Sequence, residues 1–215
     1  MELSNVYSFG IRFMRGEVQF SGLAVWDWDW PCSQEAFERL GGNIKGKDYL
    51  SYMLSMGSYE GVPLPLEFLH LYGKRYYDIL SIGFGSSLFL VSDRFLEILE
   101  TNHFTGWKSY PVRLFEKNGT EVFGYNGFSV TGKAGKIDWE QSEVVQIPSP
   151  IDKTITYPYY KGIPIDMSKW DGSDIFMAEG CRFYFVTEQV YKVLKKAKIT
   201  NIEFEKATEF LMSKE

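Results

Sequence analysis

The sequence predicts an α+β fold: mixed or antiparallel sheets carry two repeated strand-strand-helix-strand units, with the two repeated helices packed against them. Three observations predict it. First, Gly180 to Lys206 restates Gly85 to Val112 about ninety-five residues later, and an ungapped overlay pairs Gly85 with Gly180, Val91 with Val186, Ser92 with Thr187, Asp93 with Glu188, Leu99 with Leu194 and Thr105 with Thr200. Second, Phe95, Leu96, Ile98 and Leu99 occupy the places of Val190, Tyr191, Val193 and Leu194, the i, i+1, i+3, i+4 spacing of a buried helical stripe. Third, each stripe is flanked by short apolar strands and by turns containing glycine or asparagine.

Taken in order, Asn5 to Phe20 reads as strand, with Val6, Tyr7, Phe9, Ile11 and Phe13 in partial period-two alternation before the Arg15-Gly16 turn. In Val25 to Pro31 an extended chain places Trp26, Trp28 and Trp30 on one face and Asp27 and Asp29 on the other. That face serves either as a core-facing strand or as a stacking platform for a ligand or partner. Ser33 to Leu40 predicts a short helix capped by Ser33 and stopped by Gly41-Gly42, and Lys47 to Met56 a second one. Tyr59 to Pro65 is turn-rich and marks the candidate boundary between a Trp-rich N-terminal segment, 1–60, and a duplicated core, 61–215, the two packed as one domain. Leu66 to Leu71 is ambiguous between helix and strand.

The first unit opens at Asp78-Ile79-Leu80 and the second at Asp174-Ile175-Phe176, aligned with one residue inserted. Leu88 to Val91 and Arg182 to Val186 are the strands before the helices. Ser92 and Thr187 are the expected N-caps, with Asp93 and Glu188 where the helix dipole favours negative charge. Lys195, Lys196 and Lys198 sit where cations help, and Gly106 and Asn201 supply the left-handed stop. Val112 to Thr131 predicts two strands joined at Lys117-Asn118-Gly119. Near the second unit, Pro148, Pro150, Pro158 and Pro164 interrupt a Tyr157, Tyr159, Tyr160 stretch that reads as extended.

Composition bounds the function. With 45% apolar and 17% aromatic residues, 215 residues are enough to bury a real core. A net charge of −5 argues against a nucleic-acid groove and suits a basic protein partner. The first twenty residues break their apolar run with Arg12, Arg15 and Glu17, and no stretch reaches membrane-spanning length, so a cytoplasmic chain is expected. Cys32 and Cys181 are read as free thiols.

Catalytic groups are sparse. His70 and His103 lie in no metal-binding spacing, and Cys181 opens an apolar strand. The glycines of Ile82 to Ser87 precede a strand rather than a helix and no Lys-Ser or Lys-Thr follows, so they do not form a phosphate loop. Asp138, Glu140 and Glu143, like Asp166, Asp171 and Asp174, form small acidic groups without an EF-hand pattern, best read as solvated faces. The expectation is a protein without catalytic centre, metal or cofactor. Candidate partner-binding residues are Trp26, Asp27, Trp28, Asp29, Trp30, Trp107, Asp138, Trp139 and Glu140.

Two segments carry a family resemblance. KIDWEQSEVV, Lys136 to Val145, resembles a short signature of Asp, aromatic, acidic, any residue, Ser. DIFMAEGCRFYFVTEQVYKVLKKAKITNIEFEK, Asp174 to Lys206, is similar to the C-terminal segment of the same family. That family comprises bacterial immunity proteins of polymorphic toxin systems, once described only as a domain of unknown function, and the resemblance covers about the C-terminal two-thirds, from Tyr77 onward. It implies a cytoplasmic antidote that binds and neutralises a cognate toxin domain by protein contact, the acidic balance suiting a basic toxin. The alternative is a small-ligand or peptide binding module using the Trp26, Trp28, Trp30 face and the tyrosines near Tyr157 to Tyr160.

Overall fold

Both predicted stripes form nine-residue helices, α1 (Asp93–Thr101) and α2 (Glu188–Lys196), in a computed structural model that describes residues 1–12, 14–22, 54–59, 64–82, 88–181 and 183–213. Ser92 occupies the first N-cap, and its Oγ accepts a hydrogen bond from Phe95 N at 3.2 Å, partnering a donor that the first helical turn leaves free. Thr187 holds the same place before α2, but its hydroxyl makes no cap bond and is buried without a partner. The stops match. His103 and Lys198 take φ of 55° and 54°, then Gly106 and Asn201 take 85° and 62°. A Cβ on Gly106 would lie 2.0 Å from Ile175 O, so that position requires glycine for space as well as for φ.

Among the described residues the strands form four sheets. One contains β4 (Ile79–Ser81), β5 (Phe89–Ser92), β9 (Tyr125–Val130) and β6 (Trp107–Tyr110), in that order. A five-stranded sheet runs β10 (Gly132–Lys136), β13 (Ile175–Glu179), β14 (Tyr184–Thr187), β1 (Val6–Ile11) and β15 (Ile202–Lys206). The third is β2 (Gln19–Gly22), β3 (Leu66–Tyr72), β7 (Val112–Phe115) and β8 (Glu121–Val122), and the fourth is β11 (Glu143–Pro148), β12 (Thr156–Lys161) and β16 (Leu211–Ser213). Only β10 with β13 and β3 with β7 pair in parallel within these sheets, so the architecture is α+β with mixed and antiparallel sheets.

The register gives β9 and β1 equivalent positions. β9 lies between β5 and β6, pairing Val91 with Asn126 and Ser109 with Phe128. β1 lies between β14 and β15, pairing Val186 with Tyr7 and Phe204 with Phe9. The residues 6–11 are thus an inner strand of the largest sheet. Leu66 to Leu71, ambiguous in sequence, is strand, because its alternate residues Leu66 and Phe68 are buried. The Asn118-Gly119 hairpin joins β7 to β8, with Gly119 at φ 85°. It is shorter than expected: the chain breaks at Gly124, φ 88°, and β9 crosses into the sheet of β5 and β6. Of the two N-terminal helices predicted, Leu54 and Ser55 are helical, while 33–40 and 47–53 lie outside the described residues.

One core unites both helices with both large sheets. Phe95, Leu96 and Leu99 from α1 and Val190 and Leu194 from α2 meet Phe9, Phe89, Phe128, Ile175 and Val186. Each fully buried side chain of this kind contributes about 1.5–3 kcal/mol. Two carboxylates tie the strands beside each helix to the turn after the other helix. Asp78 Oδ2 accepts from Thr200 N at 2.9 Å and Thr200 Oγ1 at 2.8 Å, and Asp174 Oδ2 accepts from Thr105 N at 2.9 Å and Thr105 Oγ1 at 3.0 Å. Asp78 precedes β4 and holds the turn after α2, and Asp174 precedes β13 and holds the turn after α1.

Candidate partner-binding surface

Lys136 to Val145 folds around a single turn of 3-10 helix, Trp139–Gln141, begun by Asp138. Asp138 Oδ1 accepts from Glu140 N at 3.2 Å and Oδ2 from Gln141 Nε2 at 2.7 Å, so this carboxylate is committed to the turn. The turn places the Trp139 ring 5.4 Å from that of Tyr160 and leaves Glu140 exposed. Asp138, Trp139 and Glu140 therefore come together at the base of the β11–β12 hairpin, which Ser142 anchors by donating its hydroxyl to Gly162 O at 3.2 Å.

No residue of β11 or β12 is buried. In the antiparallel register Val145 faces Tyr159 and Ile147 faces Tyr157. Facing residues share a side of the sheet, so these two pairs form one apolar stripe, while Val144 and Tyr160 fall on the opposite side, with Trp139. Ser149 N donates to Ile155 O at 2.8 Å, which carries the ladder one step further and adds Ile155 to the stripe. The tip is tightly bonded. Ser149 Oγ accepts from Ile151 N at 3.2 Å and Asp152 N at 3.4 Å, and Asp152 Oδ1 accepts from Thr154 N at 2.9 Å and Thr154 Oγ1 at 2.7 Å. The Thr154 bonds hold the Asp152 carboxyl below the usual carboxylate range. On this turn Ile151 stands 95% exposed.

The other predicted site residues lie elsewhere. Trp107 sits on the edge strand β6, its Nε1 donating to Phe104 O at 2.8 Å and its ring stacked 6.0 Å from Phe128, so it is half-buried packing on the core. Trp26, Asp27, Trp28, Asp29 and Trp30 lie outside the described residues, as does Cys32. The hairpin entered the sequence reading only through Tyr157 to Tyr160, as part of the alternative ligand-binding face. Its signal was present in the alternation of Val145 with Ile147 and of Tyr157 with Tyr159, but the prolines between them mark breaks rather than a continuous pair of strands.

Titratable groups elsewhere serve the scaffold. His70 Nδ1 lies 2.5 Å from Glu116 Oε2 and Nε2 3.1 Å from Gly73 O, and Tyr76 OH donates to Glu116 Oε1, tying β3 to the β7–β8 hairpin. The Tyr76 bond, opposed by burial and aided by His70, holds Glu116 below its ordinary value. Asp166 starts the 3-10 turn Met167–Lys169, and Asp171 accepts from Ser173 N and Lys133 N, so two of the acidic residues of that group are turn caps, and Asp174 holds the turn after α1. His103 is exposed at the end of α1. Burial pushes the Cys181 thiol up, where it lines a cleft of about 330 Å³ with Met56, Lys133, Lys169 and Glu179. Among the described residues no group of His, Cys, Asp and Glu is arranged to hold a metal ion, and no helix is long and apolar enough to cross a membrane.

Sheet topology and surface together define an α+β domain that carries an unburied apolar hairpin. A model of the Immunity protein family (Imm11) matches residues 43–209, more than half of the chain. The chain belongs to this immunity protein family. No curated protein matches it.

Proposed function

We propose that the protein is an immunity protein that binds a cognate bacterial toxin domain in the cytoplasm and neutralises it by protein contact, without catalysis. The observation that carries this reading is membership of the immunity family over residues 43–209. A net charge of −5 suits a basic toxin, since opposite charge speeds encounter and discriminates among partners. Neutralisation by occlusion needs a rigid scaffold and an accessible surface rather than an acid-base pair. Co-expression with the toxin domain encoded beside this gene tests it: growth should be restored and the two proteins should co-purify. Failure of both overturns the reading.

The same proposal takes β4–β5–α1–β6 and β13–β14–α2–β15 as two copies of one unit. Supporting this are the equivalent places of β9 and β1, the paired left-handed residues after each helix, and the reciprocal Asp78–Thr200 and Asp174–Thr105 bonds. Residues 61–215 are then the duplicated core. Within the N-terminal segment β1 pairs with β14 and β15, and we take residues 1–60 and this core together as one domain.

A further inference from the structure

We propose that the β11–β12 hairpin is the toxin-docking arm, with Ile151 inserting into an apolar pocket of a basic toxin domain and the Val145, Ile147, Ile155, Tyr157, Tyr159 stripe lying along its rim. The inference rests on the immunity reading above and assigns its surface.

Packing accounts for only part of this hairpin. β16 completes one edge and Trp139 packs on Tyr160, yet every residue of β11 and β12 is at least partly exposed. Among the described residues eleven large apolar side chains are exposed, and five of them, Val144, Ile151, Ile155, Tyr157 and Leu211, belong to this one sheet and its tip. Such concentration, rather than single scattered residues, is the mark of an interaction site. Ile151 is also preorganised. The Ser149 and Asp152 bonds fix its turn, so insertion would cost little ordering entropy, which favours a central anchor.

Charge selects the occupant. Around the arm Lys161 is paired with Glu209 at 3.4 Å and Lys136 with Glu179 at 3.7 Å. Exposed Glu140, Glu143 and Asp152 have no ion-pair partner among the described residues, and only Lys153 opposes them on the hairpin. An apolar stripe within a net acidic margin matches a basic domain with an apolar pocket. It matches a second, equally acidic copy of this chain less well.

The test uses the full chain and the toxin domain encoded beside its gene, held inactive by substitution. Calorimetric affinity is measured for wild type, Ile151→Asp, Tyr157→Ser and, as a control off the arm, Phe123→Asp, where Phe123 is 78% exposed. Thermal midpoints check that each variant folds. The expected result is a loss of about 30-fold or more for Ile151→Asp, a smaller loss for Tyr157→Ser, and unchanged affinity for Phe123→Asp. Undiminished affinity in both arm variants overturns the assignment while leaving the immunity reading intact. So does a dimer seen by sedimentation that Ile151→Asp dissociates while toxin affinity stays the same, because the face would then belong to a second copy. Absence of any complex with the wild-type chain overturns the immunity reading, and the assignment with it.

Discussion

Asp78 concentrates more of the stabilising chemistry than its sequence context suggests. Burial pushes its carboxyl up, but the Thr200 N–H and hydroxyl, the Ser92 hydroxyl and the Arg94 guanidinium together pull it below the ordinary carboxylate range. A folded value below the unfolded one, about 3.9, means that the ionised form stabilises the fold above about pH 4 and that this contribution disappears as pH falls through the lowered value. Asp78→Asn is expected to cost about 1–3 kcal/mol at neutral pH and to flatten the acid limb of the stability profile, measured by urea unfolding between pH 2 and 7. The recurrence of Asp78 as Asp174 and of Thr105 as Thr200 is visible in sequence. That Asp78 bonds Thr200 and Asp174 bonds Thr105 is not, because spacing along a chain does not reveal which of two similar turns lies nearby in space.

Helix caps separate two positions that look alike in sequence. Ser92 makes its cap bond and Thr187 does not, although both precede an acidic residue and a matching stripe. Ser92→Ala is therefore expected to lower unfolding free energy by about 1 kcal/mol. Thr187→Val, which keeps the shape and removes a buried unpartnered hydroxyl, should be neutral or stabilising. Paired chemical denaturation curves of the two variants check the contrast. The stripes and the Asn118-Gly119 turn were legible because each is set by local backbone preference, whereas the helices stop before the expected Gly106 and Asn201, at left-handed His103 and Lys198. The β11–β12 hairpin was less so, since its exposure depends on what fails to cover it.

Across the whole molecule β1 decides integrity. It pairs with both β14 and β15, and the Tyr7 ring stacks on Tyr191 of α2 at 4.1 Å. Removing residues 1–12 would open two strand edges and uncover the shared core. The truncated chain is expected to lose its cooperative thermal transition, monitored by circular dichroism, whereas a chain with 1–60 as an accessory layer would keep it.

The amino-acid sequence by itself determined the α+β class, both helices, one hairpin and the immunity-family membership, because these reside in local periodicity, turn chemistry and recurring motifs. Only the tertiary structure decided that the strands flanking α1 and α2 occupy separate sheets around one core, that residues 6–11 complete the larger sheet, and that among the described residues the β11–β12 hairpin is left at least partly exposed. Those outcomes depend on long-range pairing and burial, which are properties of which surfaces meet, and the order of residues along a strand does not specify its neighbour.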